Sequence, residues 1–142
     1  MVNPDGPRPH DTYDQIDQEE AILGSCLTRL QKVKGYKAAA IMTFRGEILA
    51  SHSADAGIDL HEVGKVFNDI FRTAHEASEK IGLKACLEIV ISTPKGIVLM
   101  HCSGVDAMIH FHLLAIISAD GNLALARMEL EKMTAPILAK LS

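Results

Sequence analysis

The chain has 142 residues, 48% of them hydrophobic, 23% charged and only 4% aromatic, with no tryptophan, so it reads as one ordinary globular domain with an aliphatic and methionine core. The net charge of −4 collects at the N-terminus, where residues 1–20 hold six acids against Arg8, leaving the remainder near +1. Nucleic-acid binding is disfavoured because no basic patch interleaves with aromatics, and a membrane span because the longest apolar run, Leu113–Ile117, is far too short.

Three cysteines, Cys26, Cys86 and Cys102, odd in number and without a CxxC pair, fit a reduced, cytoplasmic setting. Met1–His10 is polar and proline-rich, unlike a signal peptide. Residues 1–11 therefore read as a disordered acidic lead-in, and 12–142 as a single domain. Thr12 and Gln15 have capping-box spacing, and Ile16, Leu23, Leu27, Leu30 and Val33 recur at helical intervals, which predicts a first helix over 13–34 ended by Gly35. Two short apolar runs, 37–44 and 47–51, flank the Arg45-Gly46 turn as a hairpin, and 52–58 reads as a polar loop. Asp59 and Glu62 open a long second helix over about 60–81, closed by Gly82. Its apolar face is Leu60, Val63, Phe67, Ile70, Phe71, Ala74 and Ile81, and its polar face Lys65, Asn68, Arg72, His75 and Glu79. Three strands follow, over 84–93, 97–102 and 107–118, turned at Pro94-Lys95-Gly96 and Gly104-Val105-Asp106. Asn122 can cap a last helix, Pro136 should kink or restart it, and Thr134 can cap the final turn. The order α-β-β-α-β-β-β-α predicts an α+β fold: a five-stranded antiparallel sheet with the first and last helices on one face and the long helix on the other.

This order, with the residues at its joints, resembles the Roadblock/dynein light chain family, a profilin-like fold, from about Gly35 to Pro136. The residues that carry the resemblance are Ala38-Ala39-Ala40-Ile41 leading into Phe44-Arg45-Gly46-Glu47-Ile48-Leu49-Ala50, the long helix after Asp59, the strand Ile97-Val98-Leu99-Met100, and the helix opening Gly121-Asn122-Leu123-Ala124-Leu125-Ala126-Arg127. The chain departs from the family where Leu123-Ala124 replaces the usual Leu-Gly, and in its acidic tail. The resemblance is to bacterial members that pair with a small Ras-like GTPase. It implies a homodimer whose sheets join edge to edge with the long helices side by side. It also implies a role in modulating the GTPase, or as an adaptor subunit in a larger complex, with no catalytic centre and no cofactor.

The motifs agree with a non-enzyme: no P-loop, GxGxxG, GxSxG or HExxH is present. On this reading Lys65, Asn68, Arg72, His75 and Glu79, with Arg45 of the first turn, meet the partner, and either arginine can serve as a finger supplied in trans. Phe67 and Phe71 on the helix and Leu87, Ile89 and Ile91 on an unpaired strand edge are the expected dimer interface. Cys86 and Cys102 read as small buried hydrophobes on strands. One metal-like set stands apart. A turn centred on Val105-Asp106 puts His101 opposite His110 with His112 on the same face, three imidazoles suited to zinc or copper in a metal-binding or small-molecule sensor, or else inert under a helix.

Overall fold

A computed structural model describes residues 21–104 and 108–141. The acidic lead-in, the capping box at Thr12 and Gln15, and the turn residues Val105 and Asp106 lie outside them. The first helix, α1, is α-helical over 21–27 and tightens to a 3-10 turn over Thr28–Lys32. It ends two residues before the expected 34. In a 3-10 turn residues three apart eclipse one another, and this aligns Leu27, Leu30 and Val33, all buried, on one stripe against the sheet. Gly35 follows with φ +85°.

The sheet strands are β1 Tyr36–Thr43, β2 Ile48–Ser53, β3 Glu88–Thr93, β4 Gly96–Cys102 and β5 Phe111–Ile117, in the order β2-β1-β5-β4-β3 with every pairing antiparallel. β1 and β5 hold the middle. Both are buried almost throughout, because each is covered on both faces. β2 runs two residues into the expected loop, where the Tyr36 hydroxyl lies 2.7 Å from Nδ1 of His52. β3 starts four residues late. Lys84, at φ +66°, cannot hold extended geometry, so Cys86 and Leu87 lead into the strand instead of lying on it.

Two helices complete the fold, α2 over Leu60–Lys80 and α3 over Leu123–Leu141. The carboxylate of Asp59 accepts from the His61 N–H at 3.0 Å and caps α2. At its end Gly82, at φ +79°, and Leu83 donate to the Glu79 and Ser78 carbonyls, closing the helix with paired C-terminal bonds. Asn122 caps α3 by accepting from Leu125 N–H. Helix α3 runs unbroken through Pro136 and does not restart. Thr134, expected to cap a final turn, instead bonds back to the Leu130 carbonyl.

Two cores result. Leu23, Leu27, Leu30 and Val33 of α1 and Ala126, Leu130, Met133 and Ile137 of α3 share one, with Leu99, Phe111 and Leu113 of the sheet. Leu60 and Phe71 of α2 share the other, with Ala38, Met42, Met100 and Leu114. Helices α1 and α3 therefore cover one face and α2 the other. Arg127 ties α3 to the sheet edge through Glu88 of β3, 2.5 Å away. Arg29 reaches the buried Glu129 at 2.9 Å. No helix among the described residues is long and apolar enough to cross a membrane.

Candidate functional site

The buried stripe of α2 is Leu60, Gly64, Asn68 and Phe71, spaced by four and three, with Phe67 partly buried beside it. This is rotated from the expected apolar face. Val66 and Ile70 point to solvent at 58% and 44% exposure. Asn68, expected on the partner face, is fully buried and cannot meet a partner. Phe71, expected at the dimer interface, is 1% exposed and fills the core of its own chain.

Asn68 is buried because it has work on both sides of its amide. Its Nδ2 donates to the Phe44 carbonyl at 2.9 Å, and its Oδ1 lies 2.6 Å from Nδ1 of His112. The carbonyl demands a donor, which fixes the amide's orientation. Oδ1 must then accept, so His112 carries its proton on Nδ1 and keeps a bare lone pair on Nε2. Phe71 packs on the His112 ring at 4.7 Å.

Above this bridge a cavity of about 260 Å³ opens between α2 and the sheet. Phe71, Arg72, His75, Glu76 and Glu79 of α2 line it, with Cys102 at the end of β4, His110 just before β5, His112 at its start, and Phe44 from the first hairpin. The Phe44 and His110 rings stack at 5.5 Å, 4° from parallel, and His110 meets His112 edge-on at 5.0 Å. Nε2 of His110 lies 2.9 Å from the Cys102 sulfur, and the sulfur accepts from the Gly104 N–H at 3.3 Å. His75 accepts at Nδ1 from the Cys86 N–H and turns Nε2 toward Glu79, 2.6 Å away.

Burial sets the charge states here. Desolvation pushes His112 down to about 4, helped by the positive fields of His110, Arg72 and His75. Desolvation also lowers His110, with His75 adding to the effect. It raises the Cys102 thiol against the lowering pull of the Gly104 N–H. At neutral pH the floor of the cavity is a neutral thiol beside two neutral imidazoles.

The three-histidine set does not form. β4 and β5 pair Cys102 with His112 and His101 with Leu113, three residues out of the expected register. His101 consequently looks to the opposite face, where desolvation lowers its pKa against the raising fields of Glu131 of α3 and Glu88. Cys102 takes its place. Met108, expected on the strand, sits in the preceding loop at 87% exposure. Of the expected partner residues, Arg72, His75 and Glu79 line the cavity, Lys65 is exposed on α2 outside it, and Arg45 lies over the Phe44 ring at 5.4 Å. Ile89 and Ile91 pack partly against the α2 core, while Leu87 is 58% exposed before β3.

No family model and no curated protein matches this sequence. Solved structures do. A Roadblock/LC7 domain from Streptomyces avermitilis superposes with a TM-score of 0.68 at 13% identity, over 88% of this chain and 96% of that one. MglB of Myxococcus xanthus gives 0.68 at 13% identity, over 98% and 91%. The gliding protein mglB of Thermus thermophilus gives 0.65 at 13% identity, over 98% and 97%. The chain has the Roadblock fold. The cavity lies between α2 and the β4–β5 end of the sheet, and among the described residues Val66 and Ile70 on the outer face of α2 stay exposed.

Proposed function

We propose that this chain is a non-catalytic regulatory module that works as a homodimer and binds a small Ras-like GTPase. The observation that carries the reading is the outer face of α2. Val66, Ile70, Ala74 and Ala77, with Asp69 and Thr73 at their side, line a shallow groove along the helix, and the chain keeps Ile81, Leu83 and Leu87 exposed on its way to the sheet edge at β3. A helix bathed only in water does not need a second apolar strip. Exposed apolar surface and an open strand edge are both features that a partner covers. A second copy covers both at once, α2 against α2 and β3 against β3. The polar side of α2, with Lys65, Arg72, His75 and Glu79, and Arg45 over Phe44, then remains for the GTPase. The fold shared with MglB and the gliding protein mglB supports regulation over catalysis.

Light scattering is expected to give twice the 15.4 kDa chain mass. Ile70→Lys, on the exposed strip, is expected to give the monomer with its helical signal intact. Titration with small Ras-like GTPases from the same host is expected to find one that binds and whose hydrolysis or exchange rate changes. Arg72→Ala should weaken that binding by about tenfold or more, the loss of one well-placed arginine contact. A monomer at micromolar concentration, or a full set of GTPases that neither bind nor respond, refutes the reading.

A further inference from the structure

The floor of the cavity has a chemistry that binding a GTPase does not use. Three metal-ligating side chains converge there, from the end of β4, the residue before β5 and the second residue of β5. Cys102, His110 and His112 each offer one donor atom, and these atoms lie within 4.8 Å of one another. We propose that Cys102, His110 and His112 form a zinc-binding site whose fourth position opens into the cavity.

The donor set, the geometry and the surroundings each support the site. One thiolate and two imidazoles are ligands zinc accepts, and three protein ligands leave one position for water or an incoming group. Bond lengths of about 2.0–2.3 Å around a tetrahedral ion separate its donors by about 3.3–3.6 Å. The three donors of Cys102, His110 and His112 span no more than 4.8 Å, and to seat the ion the Cys102 sulfur and His110 Nε2, now 2.9 Å apart, part by about 0.6 Å while the wider separations close. His112 is prepared for the role. Asn68 holds its Nδ1–H from the far side, the outer-shell contact that orients a ligating imidazole and leaves Nε2 free. The Gly104 N–H points at the sulfur and stabilises a thiolate. Arg72 adds a positive charge to the cavity wall, and Glu76 and Glu79 on the same wall offset it.

Binding exchanges a proton for the ion. The Cys102 S–H bond breaks, its electron pair goes to zinc, and the proton passes to solvent, while both histidines bind as neutral rings. The ion would bridge β4 and β5 across their connecting loop, beneath the α2 surface assigned to the partner. Metal occupancy therefore becomes a means of stiffening that end of the sheet. This inference does not rest on the GTPase reading, since the site is tested on the isolated chain.

The test uses full-length chain made without a histidine tag, stripped with chelator, and titrated with zinc sulfate against a chromogenic competitor. One equivalent is expected to bind, with release of a proton. Cobalt(II) in place of zinc is expected to show a thiolate charge-transfer band and the intense visible bands of tetrahedral cobalt. Cys102→Ser should abolish the charge-transfer band, and the Cys26→Ser/Cys86→Ser variant should keep it. Asn68→Ala should weaken binding by about 10–100-fold, as loss of an outer-shell contact does. His101→Gln, on the opposite face, should leave affinity unchanged. Zinc uptake below about a tenth of an equivalent, or a cobalt spectrum without the thiolate band, overturns the site. So does a band lost from the Cys26→Ser/Cys86→Ser variant. Where Cys102→Ser does not fold, the cobalt spectra of the unaltered chain and of that variant decide the matter.

Discussion

Asn68 is the residue on which the α2 side of the molecule turns, and its removal should be costly out of proportion to its size. It is fully buried and bridges the Phe44 carbonyl and the His112 ring. Asn68→Ala leaves the buried His112 N–H donor and the part-buried Phe44 carbonyl without partners. The orphaned N–H costs about 1–3 kcal/mol and the carbonyl, nearer to water, less, so the substitution should destabilise the chain by about 1–4 kcal/mol. That is a large share of the roughly 5–15 kcal/mol typical of a domain. A double-mutant cycle separates the two halves of the bridge. His112→Phe keeps a ring against Phe71 and removes the N–H. In that background Asn68→Ala orphans only the Phe44 carbonyl, and its cost should fall by about 1–3 kcal/mol. Urea unfolding of the four proteins, all in chelator, measures the coupling. Additivity within about 0.5 kcal/mol refutes the bridge as the reason Asn68 is buried.

Two further outcomes follow from the same face and from the α1–β1 joint. His112 is held at about 4, below the ordinary value of 6.5, so in metal-free protein the unfolded chain binds a proton the folded chain refuses. Stability is then whole above pH 6.5 and falls as pH drops toward 4, by about 3 kcal/mol at about 1.4 kcal/mol per pH unit; unfolding curves over that range should be flatter for His112→Phe, and equal slopes would contradict the shift. Gly35→Ala should cost well over about 1 kcal/mol, because φ is +85° and an added Cβ meets the Ser118 hydroxyl and comes 2.8 Å from Gly121 Cα; a melting temperature within a degree or so of the parent would show that this turn is free to relax.

Much of the fold is readable locally because its signals are local. Asp59 and Gly82 bound α2 with a cap and a left-handed residue, Asn122 caps α3, and Leu27, Leu30 and Val33 mark the buried stripe of α1. The face that α2 buries is harder to read, since the helix is apolar on two sides. Counting apolar residues puts Ile70 in the core with Phe71. The structure instead buries Gly64 and Asn68, whose claims come from close packing and from a hydrogen-bond bridge to residues 24 and 44 positions away. No local pattern carries that information. A polar residue in line with Leu60 and Phe71 is the nearest thing to a trace of it.

The cavity floor escapes a reading of the sequence for a reason that can be stated as arithmetic. Side chains alternate along a strand, so an odd shift in register exchanges one face for the other. Reading Ala107, Met108 and Ile109 as strand makes a tight turn and sets His101 against His110. In the structure the connection is longer, and the pairing closes at Ser103, whose N–H donates to the Phe111 carbonyl and whose hydroxyl accepts from the Phe111 N–H. The shift is three residues. It sends His101 under α3 and brings Cys102 beside His112. A symmetric set of three imidazoles therefore becomes one thiol and two imidazoles from the same stretch of sequence. His110 and His112, two apart, had to share a face in either register as long as both lay in extended chain, so only their third companion depended on the length of the loop.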